Sequence, residues 1–153
     1  MNKYMEIAKT LSDENLITNN GGPFGAVVVK NDIIIGKGSN NVLKNNDPTA
    51  HAEIMAIRDA CKNINSYDLS GSTIYTSCYP CPMYLSAIIW SNIKIVYYGN
   101  SKEDAAFIGF RNDFIYNYIN GKDNCDLKII NIDRDETIKT FESFMDKKDK
   151  TIY

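Results

Sequence analysis

Apolar residues along the chain fall first into a helical rhythm and then into short runs, and the alternation between the two predicts the architecture. Tyr4, Ile7, Ala8, Leu11 and Leu16 lie near a 3.6-residue spacing, so residues 3–18 are predicted as an amphipathic helix. "NNGGP" at 19–23 ends it. "FGAVVVK" and "IIIGKGSN", joined by Asn31-Asp32, have the pattern of a strand hairpin with a two-residue turn. The polar loop 43–48 ends in Asp47-Pro48, where a helix can begin with proline in its first turn. That helix is expected over "TAHAEIMAIRDACKNI", with Ile54, Ile57, Ala60 and Cys61 on its apolar stripe. Farther on, "STIYTSC", "IKIVYYG" and "DLKIINI" read as strands, and "CPMYLSAIIW", "NDFIYNYI" and "RDETIKTFESFM" as helices. Strands alternating with helices predict one α/β domain over 1–153, its sheet sandwiched by helices and paired in parallel after the hairpin.

Composition narrows the function classes without choosing one. An apolar fraction of 44% and a charged fraction of 24% suit a soluble globular chain. A net charge of −2 forecasts no broad basic face for nucleic acid or acidic membranes. The four cysteines lack framework spacing and point to a reducing cytosol, so a cytoplasmic location is expected. The start, "MNKYMEIAKTL", has no signal-peptide apolar run, and no stretch approaches the roughly 20 apolar residues of a membrane span.

Candidate chemistry sits in two short stretches. His51, the only histidine, stands in "HAE" near a helix start, two residues before Glu53. On a regular helix those side chains point about 200° apart; in the first turn both can reach past the helix end toward one ligand. The second stretch is Pro80-Cys81-Pro82, where Pro82 suits the first helical position and Cys81 the cap. Two helix N-termini aimed at one point would favour a thiolate and a bound hydroxide. Glu53 would shuttle protons to and from metal-bound water. Taken singly, each stretch is more simply a solvated helix face or a turn. In this order, separated by a strand, they follow the H-x-E and P-C-x-x-C pattern of the zinc nucleobase deaminases up to its last cysteine; those enzymes use three protein ligands and one water.

On these residues the chain resembles the cytidine-deaminase fold and, within it, the bacterial guanine deaminases. The resembling stretches are "GGPFGAVVVK", "NDPTAHAEIMAIRDAC", "DLSGSTIYTSCYPCPMYLSAIIW" and "DAAFIGF". The resemblance implies a three-layer α/β/α sandwich with a five-stranded mixed sheet, and a homodimer in which the C-terminal segment, here 148–153, reaches the partner's pocket. It implies zinc held by His51 and Cys81, Glu53 as the proton-transferring catalyst, and a purine base as substrate. Phe24 and Trp90 match aromatics flanking the base, Asn40 a base-binding amide, and Tyr153 a terminal tyrosine in the neighbouring pocket. Read without the family, these are two core aromatics, a strand end and a polar tail.

The pattern departs from the family twice. Its third ligand position is Tyr84, not cysteine. Three readings stand open: Tyr84 binding as phenolate, Cys78 substituting through its Cys78-x-x-Cys81 spacing, or a metal-poor site with too few ligands. The position that reads guanine's two donors with a carboxylate falls on Asn112, with Asp113 beside it. An amide offers one acceptor and one donor group, so guanine itself is in question. Asn112 as a plain helix cap is the alternative. The leading function is thus a zinc-dependent aminohydrolase of a free purine base, guanine deaminase-like. The competing readings are a tRNA adenosine deaminase, which shares "DPTAHAEI" but draws on basic surface this chain lacks, and an impaired deaminase-like protein that binds a base or partner without turnover.

Overall fold

A computed structural model of the chain describes residues 1–110, 113–122 and 127–152. The chain divides into two compact units, Met1–Asp123 and Asn124–Tyr153. The first opens with helix α1 (Lys3–Thr18), then strands β1 (Gly25–Lys30) and β2 (Ile33–Ser39), a short helix α2 (Val42–Asn45) and helix α3 (Ala52–Ile64). Strand β3 (Ser72–Cys78), helix α4 (Pro82–Trp90), strand β4 (Ile95–Asn100), and helices α5 (Lys102–Phe107) and α6 (Asp113–Ile119) follow. The second unit carries helix α7 (Arg134–Asp146).

The sheet has the order β2-β1-β3-β4, with β1 antiparallel to both neighbours and β3 parallel to β4. It is mixed, as expected, but four-stranded among the described residues. The expected fifth strand over "DLKIINI" is not formed at 127–132. Its unit contains no other strand among the described residues, so an extended segment there has no ladder to join.

Alternation along the strands builds a layer on each face. Val27, Val29 and Tyr75 pack with Tyr4, Ile7 and Leu11 of α1. Ala26, Val28 and Ile74 turn the other way, against Ala52, Ala56, Ile57 and Ala60 of α3 and Tyr84 and Ile88 of α4. The hairpin turn at Asn31-Asp32 has positive φ at both residues, as a turn matching strand twist requires. Two glycines of β2 let α3 lie directly on the strand. A Cβ on Gly36 would come 2.3 Å from the Ala56 carbonyl oxygen, and one on Gly38 would come 2.2 Å from that of Ala52. This contact seats the start of α3 over the sheet.

The loop before α3 differs from expectation. The helix starts at Ala52, not at Pro48. Asp47 Oδ1 accepts hydrogen bonds from the Thr49 backbone N–H (2.8 Å) and hydroxyl (2.7 Å), closing a local turn instead of capping a helix. Among the described residues no helix is long and apolar enough to cross a membrane.

Candidate active site

Two helix starts meet beside the end of β3. His51 is the N-cap of α3 and Cys81 the N-cap of α4, both with extended backbone (φ −66°, ψ 155° and φ −74°, ψ 161°). Neither side chain hydrogen-bonds the N–H groups of its own helix. The two side chains meet each other instead, with Cys81 Sγ 3.7 Å from His51 Nδ1. Burial holds the His51 imidazole below its ordinary pKa, so it is neutral and able to offer a lone pair. Burial pushes the Cys81 thiol up, and the nearby Tyr84 and Met83 backbone N–H groups only oppose that.

Glu53, the second residue of α3, is 2% exposed. It accepts a hydrogen bond from the Thr76 hydroxyl. Burial raises its pKa from 4.5 to about 7, against Thr76, its own backbone N–H and Tyr84, which all favour the carboxylate. A carboxyl poised there can hold or release a proton at neutral pH. His51, Glu53, Cys81, Cys78 and Tyr84 line one cavity of about 580 Å³, together with Phe24, Asn40 and Phe110. That volume lies in the range of small-molecule sites.

Zinc fits two corners of this arrangement and fails at the third. A tetrahedral centre with Zn–S of about 2.3 Å and Zn–N of about 2.0 Å sets its sulfur and nitrogen roughly 3.5 Å apart, close to the separation of Cys81 and His51. Tyr84 is 4% exposed, and its hydroxyl donates toward the carbonyl oxygens of Tyr79 (2.6 Å) and Cys78 (3.3 Å). Burial pushes the phenol far above its ordinary pKa. The Cys78 thiol, pushed up to about 11 by burial, donates to the Ser101 carbonyl at 3.6 Å. Among the described residues no three His, Cys, Asp or Glu side chains are placed to hold a metal. The donor set therefore does not fit a complete catalytic zinc site, which takes three protein ligands.

The structure gathers His51, Glu53, Cys81, Tyr84, Cys78, Phe24 and Asn40 around the cavity. Asn40 is buried and its Oδ1 accepts from the Val42 N–H at 3.2 Å, so the amide group is fixed. Phe24 meets Phe110 edge-on, ring centroids 5.0 Å apart. Trp90 is not in the lining and is 68% exposed. It lies about 200° around α4 from buried Ile88. Asn112, the Asp113 side chain and Tyr153 lie outside the described residues.

Three contributors escape a reading of the sequence. Thr76 holds Glu53, and its signal was a polar residue two after Ile74 on a core-facing strand register. Phe110 closes the "DAAFIGF" stretch, but its pairing with Phe24, 86 positions earlier in the chain, is marked by no local pattern. Tyr116 on α6 donates to the Pro80 carbonyl at 2.6 Å, tethering the turn that carries Cys81.

Comparison with known proteins agrees with the geometry. The family described as the cytidine and deoxycytidylate deaminase zinc-binding region matches residues 1–100. Guanine deaminase of Bacillus subtilis is 51% identical over 116 residues, covering 76% of this chain and 74% of that protein. The X-ray structure of guanine deaminase from Bacillus subtilis superimposes with a TM-score of 0.92 at 42% identity, covering 100% of this chain and 99% of that one. A tRNA-specific adenosine deaminase of Buchnera aphidicola is 39% identical over 127 residues, covering 82% of each chain. With residues 1–100 matched, and with His51, Glu53 and Cys81 gathered at one cavity, the chain belongs to the cytidine and deoxycytidylate deaminase family.

Proposed function

We propose that the chain is a hydrolytic aminohydrolase of a free purine base, of the guanine deaminase kind. One observation carries the reading: a buried carboxyl, Glu53, held by Thr76 at the cavity wall beside His51 and Cys81. Deamination adds water to the carbon bearing the amine and expels ammonia. Glu53 takes a proton from the attacking water, gives it to the adjacent ring nitrogen, and then serves the departing amine. Phe24 and Phe110 supply an aromatic wall for a planar base. Asn40, its Oδ1 engaged by Val42, turns an amide N–H₂ with no partner among the described residues to an acceptor on the base. By the family's register Asn112 takes the position that reads guanine's two donors, where an amide serves a donor beside an acceptor better.

A homodimer belongs to the same proposal. β4 is one of the two edges of the sheet among the described residues, and Ile95, Tyr97 and Tyr98 on it are exposed, apolar surface that a second copy would cover. A fifth strand over 127–132 is part of it, since that segment needs an edge to pair with.

Ammonia release from a panel of guanine, adenine, 2,6-diaminopurine and cytosine tests the activity. Turnover of at least one purine base is expected. Deamination confined to adenosine in tRNA would favour the second reading, to which the Buchnera aphidicola relative lends support. Base binding without ammonia would mark a non-catalytic protein.

A further inference from the structure

We infer that this chain holds its metal through two protein donors only, His51 Nδ1 and Cys81 Sγ, and that Tyr84 closes the third corner as a protonated wall instead of a ligand. This deepens the aminohydrolase reading by naming the coordination at the same site, yet its test needs no substrate.

The hydrogen bonds of Tyr84 carry the argument. Its hydroxyl oxygen lies 2.6 Å from the Tyr79 carbonyl oxygen and 3.3 Å from the Cys78 carbonyl oxygen, and the Glu53 carboxyl also draws on it. A metal-bound phenolate has no proton to give. Ligation would leave two carbonyl oxygens facing an anionic oxygen in a buried place, where an unmet acceptor and like charge both cost. Length acts in the same direction. Tyr84 is the third residue of α4, and its oxygen lies a full ring farther from the helix backbone than a cysteine sulfur would. It reaches past that corner to the β3–α4 turn, where the carbonyls take it up.

Cys78 is no substitute. It ends β3, is buried, and its Sγ is directed to the Ser101 carbonyl oxygen. The pair that remains is well formed, at 3.7 Å, and sits at two helix N-caps whose side chains are not used for capping. Such a site leaves more positions to water or substrate than a three-ligand site and holds metal more loosely.

Because each ligand adds to the free energy of binding, restoring a third protein ligand is expected to raise zinc affinity roughly a hundredfold. Zinc affinity is measured by competition with a chromogenic chelator on the purified full chain, and cobalt(II) spectra are recorded alongside. Wild type is expected to bind one zinc weakly. Tyr84→Phe is expected to bind as wild type does, Cys78→Ser likewise, and Tyr84→Cys about a hundredfold tighter, with added thiolate-to-cobalt absorption. A tenfold or larger loss in Tyr84→Phe, or phenolate absorption when metal is added to wild type, would make Tyr84 a ligand. The same loss in Cys78→Ser would make Cys78 the third donor. Either result overturns the inference, as would wild-type affinity equal to that of Tyr84→Cys, or no zinc bound by wild type at all. Weak two-donor binding in a protein that releases no ammonia would refute the aminohydrolase reading and leave this one standing.

Discussion

The starts of α3 and α4 are built alike and have diverged in content. Each begins on an extended cap residue, His51 or Cys81, and the two side chains meet at 3.7 Å. At α3 the next functional residue, Glu53, is drawn into the interior and held by Thr76. At α4 Tyr84, one position farther from its cap, is drawn just as deep, and its hydroxyl bonds the backbone of the turn before it. The α3 start keeps groups free for chemistry, whereas the α4 start turns one of them into structure. Burial by itself does not make a polar group functional; what its hydrogen bonds leave unmet decides that.

The largest expected effect falls on the intact side of the comparison. Glu53→Gln should lower kcat for ammonia release by about 10²–10⁴, the span of general acid–base catalysis, on whichever base wild type turns over fastest. Zinc affinity should not change, because Glu53 donates no lone pair to the pair of His51 and Cys81. Turnover within tenfold of wild type would remove Glu53 from the mechanism.

The same substitution, read as stability, sharpens the contrast. Glu53 has a pKa of 4.5 unfolded and about 7 folded, raised by burial. Folding therefore takes up a proton between those values. The stability this group contributes is complete below about pH 4.5 and is lost as pH rises through about 7. At 1.36 kcal/mol per unit, the loss reaches on the order of 3 kcal/mol. Urea unfolding of chelator-treated protein should show wild type losing about that much relative to Glu53→Gln between pH 5 and pH 8. Parallel pH profiles for the two proteins would mean that water reaches the carboxylate.

The smallest effect tests whether both caps are given over to the site. Ser or Asn at an N-cap is worth about 1 kcal/mol over a residue that does not cap. His51→Asn and Cys81→Ser should each raise the urea midpoint of metal-free protein by a corresponding amount while weakening zinc binding. A loss of stability in one of them would show that the contact between His51 and Cys81 outweighs the missing cap at that helix.

Much of this was readable from local pattern. α1 covers Lys3–Thr18 and β3 covers Ser72–Cys78, as their spacing predicts, because α1 buries one face against the sheet and β3 sends alternate residues to the two helix layers. His51, Glu53 and Cys81 were readable because their spacing belongs to one helix start or one turn. The start of α3 was misread because Asp47-Pro48 can cap a helix or close a turn, and the Thr49 contacts that decide between them are not in the pattern. The side of α4 on which Trp90 lies was not readable for a related reason. α4 is apolar nearly all round, so its sequence does not say which side meets the sheet, and packing of Tyr84 and Ile88 against α3 and the strands turned Trp90 outward.

By itself the sequence determined the order of helices and strands, the layered α/β architecture and the identity of the groups at the two helix starts. These rest on periodicity and on chemistry within a few residues. Only the tertiary structure decided that Glu53 is buried against Thr76, that Phe110 joins Phe24, and that the Tyr84 hydroxyl is bound to the turn at Tyr79. Each depends on which atoms lie close through space and how much water is excluded between them. Desolvation and hydrogen-bond competition act over a few ångströms, whatever the distance along the chain, and residue order alone does not carry them.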